Sequence, residues 1–334
     1  MRCQLMVRSF GTHGGTERFV HGFARFLLKK GVAFEVCCVE ERDPIQGVVI
    51  KNHPLRARGR VWKGFALDRY LSRTAKEPIR FGFVRAGNPT VYRAGGGSHR
   101  RWMRENGWSL ADELEWRIDR RIMMEARWVV VNSEQARRDV LRDYGIDENK
   151  IVLIRTGVDT HYFRESECRD KTLLFLGNNF ARKGLQKVLL SLVHLPDWKL
   201  LVCGSDSRWS RYQRLALRLG IESRVVFKGF MADPRDVFCR SSVLMLPTRY
   251  DPASNVILES MASGVIPIGS TCDGMTEILP EPWMAQSPDA TPKEYASAVE
   301  KAYAASGLAE QCRAVAKTFP PEKSFERLYH LGLQ

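Results

Sequence analysis

Two carboxylates that flank a turn of small residues are the strongest candidates for chemistry in this chain. Asp251 and Glu259 bracket the segment Pro-Ala-Ser-Asn-Val-Ile-Leu, in which Ser254 or Asn255 can cap the helix that follows. The free amides at the start of a helix bind anions, and carboxylates accept hydrogen bonds from hydroxyl groups. This combination suits a sugar nucleotide. The alternative is that Asp251 only opens a turn and Glu259 only faces solvent.

Two adjacent cations form a second candidate site. Arg182 and Lys183 follow a predicted strand over 173–176 and the loop that begins at Gly177, and they precede a predicted helix. A helix N-terminus already favours anions, so cations at this point indicate a phosphate or diphosphate ligand. An exposed Arg-Lys pair is also common without any ligand.

Two glycine-rich turns follow strands of the N-terminal half. Gly11, Gly14 and Gly15 lack the G-x-G-x-x-G spacing of dinucleotide-binding proteins, but they permit close approach of the backbone to a ligand. The second turn, 95–97, precedes His99, which is a candidate for a direct catalytic role, although a surface histidine is the commoner alternative. No spacing of His, Cys or acidic residues indicates a zinc or iron site, so we predict no metal.

The positive charge is concentrated in one segment. The chain has 52 Lys+Arg, 38 Asp+Glu and a net charge of +14, and the basic block, residues 51–104, contains 14 basic residues but only Asp68 and Glu77 as acids. Such a block indicates a polyanionic partner, which is a nucleic acid, an anionic membrane surface or a phosphorylated substrate. Aromatic residues within it, including Trp62 and Phe65, suit base stacking and keep a nucleic-acid binder as the alternative function. A solvated face without a partner is the simplest alternative.

Strand-like and helix-like segments alternate along the whole chain, which predicts parallel sheets with right-handed crossovers and an α/β fold of two doubly wound domains facing a cleft. The turn 156–159 and the polar stretch 164–171 interrupt the pattern of apolar segments, and we interpret this region as the domain boundary. No apolar run approaches the roughly 20 residues of a membrane span, and the N-terminus resembles a first strand more than a signal peptide. Eight cysteines without a C-x-x-C pair predict buried free thiols in a reducing compartment.

These motifs together resemble the retaining glycosyltransferases of family 4, which have the GT-B fold. The resemblance rests on the acid, seven residues and glutamate at Asp251–Glu259, and it extends to most of the chain. Its further motifs are Arg182-Lys183-Gly184, Gly157-Val158-Asp159, Cys203-Gly204 and Gly14-Gly15. Within the family, the loop at 176–184 and the start of the first helix are most similar to bacterial lipopolysaccharide-core glucosyltransferases.

The resemblance implies a role for each matching residue of the C-terminal domain. Glu259 would bind the ribose, Arg182 and Lys183 would neutralise the diphosphate, and Asp251 would contact the transferred sugar. The residues expected to line the nucleotide sugar, besides Arg182, Lys183 and Glu259, are Gly14, Gly15, Gly177, Gly204, Phe230, Ser254, Asn255 and Val256. The leaving diphosphate would accept the acceptor's proton, so the reaction needs no protein nucleophile, metal or cofactor, only a nucleotide-sugar donor with UDP expected.

Two departures from the family pattern concern specificity. The first acid is usually Glu where this chain has Asp251, and the glycine that often follows is Ser254. The stretch 88–92 lacks the acid that core glucosyltransferases carry before their acceptor loop, which leaves His99 as the acceptor-side candidate.

The predicted organisation is an acceptor domain over 1–165, a donor domain over 166–320, and a final helix over 321–334 that packs on the acceptor domain. The expected partners are a nucleotide sugar, a saccharide acceptor of the lipopolysaccharide-core or another lipid-linked type, and an anionic membrane surface, with no specific nucleic acid. The protein is then expected in the cytoplasm, at the inner face of the membrane. A nicotinamide oxidoreductase is disfavoured because neither half contains G-x-G-x-x-G.

Overall fold

The computed structural model describes residues 2–12, 14–55, 57–163, 165, 170–231 and 233–334. Contacts within the chain divide it into two units, Met1–Thr156 with Pro321–Gln334, and Gly157–Pro320. The division therefore precedes the boundary that we placed between residues 165 and 166. The reason is that Val158 and Phe163 are buried in the core of the second unit, where the Val158 amide donates to the Phe319 carbonyl at 2.9 Å.

The first unit is built on a seven-stranded parallel sheet. Its strand order is β5-β3-β1-β6-β7-β8-β9, and a short pair, β2 and β4, lies beside it. The strands are β1 (Arg2–Met6), β2 (Ser9–Phe10), β3 (Ala33–Cys38), β4 (Glu40–Glu41), β5 (Val49–Asn52), β6 (Ile79–Gly82), β7 (Val91–Arg93), β8 (Trp128–Val131) and β9 (Ile151–Leu153). From β1 the strands are added first on one side, as β3 and β5, and then on the other side, as β6 to β9. This change of side between β1 and β6 is typical of a doubly wound sheet.

Among the residues that the structure describes, six α-helices belong to the first unit. They are α1 (Gly15–Lys29), α2 (Arg60–Thr74), α3 (His99–Asn106), α4 (Leu110–Glu125), α5 (Glu134–Tyr144) and, from the end of the chain, α13 (Pro321–Leu333). Helix α1 buries Phe19 and Phe23 against the sheet, and Phe325 of α13 packs on them with ring centroids 5.2 and 5.9 Å away. This aromatic contact explains why the last helix belongs to the first unit.

The second unit contains a six-stranded parallel sheet of order β12-β11-β10-β13-β14-β15. Its strands are β10 (Thr172–Leu176), β11 (Lys199–Cys203), β12 (Val225–Gly229), β13 (Val243–Leu246), β14 (Ile266–Ser270) and β15 (Ala285–Gln286). Its helices are α6 (Phe180–Lys183), α7 (Leu185–Leu192), α8 (Trp209–Arg218), α9 (Arg235–Cys239), α10 (Asn255–Ala262), α11 (Pro292–Ala304) and α12 (Leu308–Lys317). The central strands β10, β13 and β14 are buried along their whole length, as expected for a sheet covered on both faces.

The α/β prediction is confirmed, since both units are doubly wound parallel sheets. Helix α2 is the main element that the sequence pattern missed, because its outward face carries charges and aromatics in place of a simple polar stripe. Five of the cysteines are buried free thiols, whereas Cys239 is exposed and Cys272 is partly buried; Cys168 lies outside the described residues. None of the helices in the described part of the chain is both long and apolar enough to cross a membrane.

Candidate functional site

The candidate site of the second unit lies at the carboxyl ends of its strands, where the order of strand addition reverses. Strand β10 leads into the loop that carries Lys183, and its neighbour β13 leads into the loop that carries Asp251. In doubly wound sheets this switch point is where ligands bind, because the two loops diverge from adjacent strands and leave a crevice. The two candidate motifs are therefore neighbours in space although about 70 residues separate them in the chain.

Arg182 and Lys183 both bind the carboxylate of Asp251. The Arg182 Nη1 atom lies 2.8 Å and the Lys183 Nζ atom 2.7 Å from the same Asp251 Oδ2 atom. Lys183 also donates to the Ser254 hydroxyl at 2.7 Å, and its side chain is only 8% exposed. Burial alone would raise the pKa of Asp251, but the two cations outweigh it and lower that pKa to about 2. The cluster of three charged groups thus holds one more positive than negative charge.

Glycines bring the loop backbones of this site close together. Gly204, at the end of β11, has φ of +127°, and a side chain there would overlap the Gly177 carbonyl. Gly184 has φ of +83°, and a side chain there would overlap the Pro247 carbonyl, which follows β13. Gly177 itself lies under the Lys183 side chain, with the Cγ atom 3.2 Å from where a β-carbon would stand. These positions fix the path of the β10 loop and the course of Lys183.

Helix α10 carries the remaining predicted residues. Ser254 occupies its N-cap position, but its hydroxyl accepts from Lys183 and makes no capping bond to a backbone amide, so the predicted side-chain cap is wrong. The amides of Asn255 and Val256 belong to the first turn, whose N–H groups have no partner within a helix. Glu259 is buried on the same helix, one turn further along. The positive end of α10 and the two cations therefore meet at Ser254.

Asp273 is a buried acid of this site that the sequence did not reveal. It is 1% exposed, and its Oδ1 atom accepts from the amides of Ser254 and Met275, both at 3.0 Å. The loop after β14 and the Asp251 turn are joined by two further bonds, from the Asp251 amide to the Cys272 carbonyl and from the Gly274 amide to the Asp251 carbonyl. Burial and the nearby Asp251 carboxylate raise the pKa of Asp273 to about 6. Its place after a central strand was the one available signal.

Phe230, Gly14 and Gly15 were also expected to line the nucleotide sugar, and they lie on elements other than those that carry Lys183 and Asp251. Phe230 follows β12 and is exposed, two strands away from β10 in the sheet order. In the first unit, Gly14 is the N-cap of α1 and Gly15 its first residue, and a side chain at Gly14 would overlap the Glu17 carboxylate. The structure thus places the glycine turn at a helix N-terminus, as the sequence indicated, with an acid already present in its first turn.

His99 is buried in a charged network of the first unit. It begins α3, is 2% exposed, and its Nε2 atom lies 3.4 Å from Asp112 Oδ1 and 3.7 Å from Glu115 Oε2. Burial, assisted by the Arg85 cation, lowers the pKa of His99. His99, Asp112 and Glu115 are close enough to hold a metal ion, a grouping that the sequence spacing did not suggest. Arg60 already bridges both carboxylates, with contacts of 2.6 Å to each, and supplies positive charge there.

Most cations of the basic block are engaged within the first unit. Carboxylates pair with five of the 14, namely Lys51, Arg60, Arg85, Arg101 and Arg104. Three more are held by backbone carbonyls, a hydroxyl or aromatic rings, namely Arg80, Arg93 and Arg100. Within the described part of the chain, five exposed cations remain without an ion-pair partner: Arg58, Lys63, Arg69, Arg73 and Lys76. The fourteenth, Arg56, lies outside the described residues.

A family model matches each of the two units. The model of Glycosyltransferase Family 4 matches residues 13–162, and the model of Glycosyl transferases group 1 matches residues 170–305. A curated relative, the lipopolysaccharide core biosynthesis glycosyltransferase LpsE of Rhizobium meliloti, is 28% identical over 102 residues, which are 30% of each chain. The chain matches less than half the length of curated relatives such as this one.

Solved structures share the fold over nearly the whole chain. WaaG, a glycosyltransferase involved in lipopolysaccharide biosynthesis, matches with a TM-score of 0.84 at 16% identity and covers 98% of this chain and 99% of its own. HepE of Anabaena, in complex with UDP and glucose, matches with a TM-score of 0.79 at 15% identity and covers 99% of both chains. With matching family models in both units and this shared architecture, the chain belongs to the family 4 glycosyltransferases and has the GT-B fold.

Proposed function

We propose that the protein transfers a sugar from a nucleoside-diphosphate sugar to a saccharide acceptor. The observation that carries the proposal is that Arg182 and Lys183 share one carboxylate oxygen of Asp251 beside the first turn of α10. A buried lysine requires a negative partner, and the one Asp251 oxygen that both cations contact uses only some of their N–H donors. A diphosphate offers several acceptor oxygens, so it can use the other donors together with the α10 amides.

The proposed reaction breaks the bond between the anomeric carbon and the β-phosphate oxygen and forms a bond from that carbon to an acceptor hydroxyl oxygen. The acceptor's proton passes to the departing diphosphate, and the anomeric configuration is retained. Arg182, Lys183 and the amides of Asn255 and Val256 would stabilise the negative charge that develops on the diphosphate. Glu259 would accept hydrogen bonds from the ribose and Asp251 from the transferred sugar. None of these steps requires a metal ion.

The donor is proposed to be UDP-linked and the acceptor a saccharide of the lipopolysaccharide-core or another lipid-linked type. Similarity to HepE, solved with UDP and glucose, supports uracil as the base of the donor. Similarity to WaaG and LpsE supports an acceptor of the lipopolysaccharide-core type. Such an acceptor lies at a membrane, and the protein is proposed to work at its cytoplasmic face. His99 remains a candidate on the acceptor side, but its burial means that the network with Arg60 would first have to open.

The decisive experiment incubates the purified protein with a panel of UDP-, GDP- and ADP-sugars and a saccharide acceptor, and follows nucleotide release and product by NMR. We expect one UDP-sugar to be used, a product with the donor's anomeric configuration, and no effect of a chelator. Release of nucleotide from none of the donors would contradict the proposal. An inverted product or loss of activity with chelator would contradict the retaining, metal-independent reaction.

Variants of the two acids test their separate roles. Ribose contacts are made alike in the ground and transition states, so Glu259→Gln should raise KM for the donor by about tenfold and change kcat little. A contact to the reacting sugar should appear in turnover, so Asp251→Asn should lower kcat by about tenfold or more. Wild-type kinetics in both variants, with a proven donor, would remove the assigned roles.

A further inference from the structure

Helix α2 and its flanks carry the unpaired positive charge of the first unit. Residues 57–76 contain one acid, Asp68, and its Oδ1 atom accepts from Arg121 at 2.6 Å and from the Gly87 amide at 2.8 Å. Among the described cations of this segment, only Arg60 forms an ion pair, with Asp112 and Glu115. The cations that remain therefore face solvent without a compensating negative charge.

The outward face of α2 combines these cations with aromatic side chains. Trp62, Phe65, Arg69 and Arg73 recur at intervals of three and four residues, so they form one stripe along the helix. Trp62 is 68% exposed and Phe65 45% exposed, and their ring centroids lie 6.3 Å apart. The buried face of the same helix carries the leucines at 67 and 71. Large exposed aromatics beside cations mark an interaction surface and not a solvated face.

A groove lies along this stripe. It has a volume of about 940 Å³, and its lining includes the apolar residues Pro54, Leu55, Ala57 and Ala66 together with His53 and Tyr70. Arg69 and Arg73 also line it, so two guanidinium groups stand beside an otherwise largely apolar trough. The arrangement matches an amphiphile whose phosphate meets the arginines and whose hydrocarbon part lies on the apolar wall.

We propose that this α2 face, defined by Trp62, Phe65, Arg69, Arg73 and Lys76, docks the protein on an anionic phospholipid bilayer. Charge complementarity favours a bilayer, because Arg69 and Arg73 on α2 and Lys76 just after it are exposed, and the one acid of residues 57–76, Asp68, is bound by Arg121. Trp62 and Phe65 enter the headgroup region, where aromatic rings are favoured, and the groove receives part of one lipid. A nucleic acid would use the same charge but gains little from the aliphatic wall of the groove.

This surface is independent of the donor site in the second unit, so the two proposals can fail separately. The docking surface deepens the proposed function by naming how the protein reaches a lipid-linked acceptor. Nucleotide release from a UDP-sugar with a water-soluble acceptor tests the donor site without any membrane. Vesicle binding without a nucleotide tests the α2 face without any transfer.

The experiment measures cosedimentation of the full chain with vesicles of phosphatidylcholine that contain phosphatidylglycerol, and with phosphatidylcholine vesicles alone. Binding should require the anionic lipid and fade as the salt concentration rises through the physiological value. The triple variant R69Q/R73Q/K76Q should bind about a hundredfold more weakly, at about fivefold for each cation removed from the surface. The double variant W62S/F65S should also lose most binding while its charge is unchanged.

The matched control removes three exposed arginines of α8, as R211Q/R214Q/R218Q. These residues share one helix face in the second unit, so the control makes the same change in net charge and should bind vesicles like the wild type. A direct readout is quenching of tryptophan emission by brominated lipid, which should fall in W62F while binding persists.

Three results would overturn the proposal. They are equal loss of binding in the α8 control, wild-type binding in R69Q/R73Q/K76Q, and tighter salt-sensitive binding to a single-stranded oligonucleotide than to anionic vesicles. The last result would assign the α2 face to a nucleic acid. All substituted side chains are exposed, and circular dichroism with thermal melting verifies that each variant is folded.

Discussion

The first unit engages most cations of its basic block with carboxylates, carbonyl oxygens, a hydroxyl or aromatic rings, whereas the second unit places two cations on one carboxylate oxygen. Arg85 meets Asp119, and Arg104 meets Asp143, so these charges are consumed by the fold. Arg182 and Lys183 share one oxygen of Asp251, which uses only some of their N–H donors and leaves the others for a ligand. A segment with many basic residues can therefore have most of them engaged by the fold, whereas a single pair of cations can form a ligand-binding site.

The largest effect is expected when the carboxylate that holds a structural cation of the first unit is removed. Asp119 is fully buried and accepts from the hydroxyls of Tyr92 and Tyr144 and from Arg85. Asp119→Ala leaves these groups without their partner, and we expect the free energy of unfolding to fall by about 3–5 kcal/mol in urea titrations. If that variant does not fold, Asp119→Asn keeps the shape and should show a smaller loss.

The affinity for UDP should be unchanged in whichever Asp119 variant folds, because the network belongs to the fold of the first unit. A tenfold loss of UDP affinity with native stability would show instead that this network binds the donor.

Removal of a cation from the second unit should have the opposite signature. Lys183→Ala deletes a charge-assisted partner of the diphosphate, and we expect UDP affinity to fall by about tenfold to a hundredfold, from a loss of roughly 1.5–3 kcal/mol. Isothermal titration calorimetry measures the affinity for UDP. Lys199→Ala, at the opposite end of β11, is the matched control and should bind UDP like the wild type. Equal affinities in all three proteins would remove Lys183 from the donor site.

A smaller effect is expected from the buried acid beside the cation pair. Burial and the Asp251 carboxylate raise the pKa of Asp273 to about 6 from the ordinary aspartate value of 3.8, so the folded protein binds this proton more tightly than the unfolded chain does. The contribution of Asp273 to the free energy of unfolding is therefore fully present below about pH 4, and it is lost as the pH rises through about 6. Asp273→Asn has no charge to bury and can still accept from the Ser254 and Met275 amides.

The difference in stability between Asp273→Asn and the wild type should therefore grow in favour of the variant, by on the order of 2 kcal/mol, as the pH rises from about 4 to about 7. Thermal melting at several pH values measures this difference. A difference that does not depend on pH would show that Asp273 has the same pKa in the folded and unfolded chain.

The smallest effect calibrates the others. Arg117 is 71% exposed and pairs with Glu113 one helical turn away at 3.1 Å. Arg117→Ala should change the free energy of unfolding by no more than about 0.5 kcal/mol, because water and salt screen such pairs. A loss as large as that of Asp119→Ala would mean that surface charge, and not burial, decides which arginines are structural.

The sequence predicted the strands well, because β-branched and aliphatic residues concentrate where both faces of a sheet are covered. The predicted strand over 173–176 lies within the observed β10, Thr172–Leu176. Helix α2 could not be predicted in the same way, since its exposed face carries Trp62 and Phe65 and so breaks the usual apolar stripe. The domain boundary differs because packing of Val158 and Phe163, and not local polarity, decides it.

The sequence by itself determined the fold class and the two motifs of the second unit, because both depend on local residue type and on spacing. Only the tertiary structure decided that Lys183 and Asp251 touch, since the strands β10 and β13 are neighbours in the sheet but distant in the chain. The same holds for Asp273, whose role depends on the Ser254 amide, and for His99, which the fold buries beside Arg60, Asp112 and Glu115. Ion pairing and burial depend on which residues are neighbours in space, and residues that are distant in the chain become neighbours only when the chain folds.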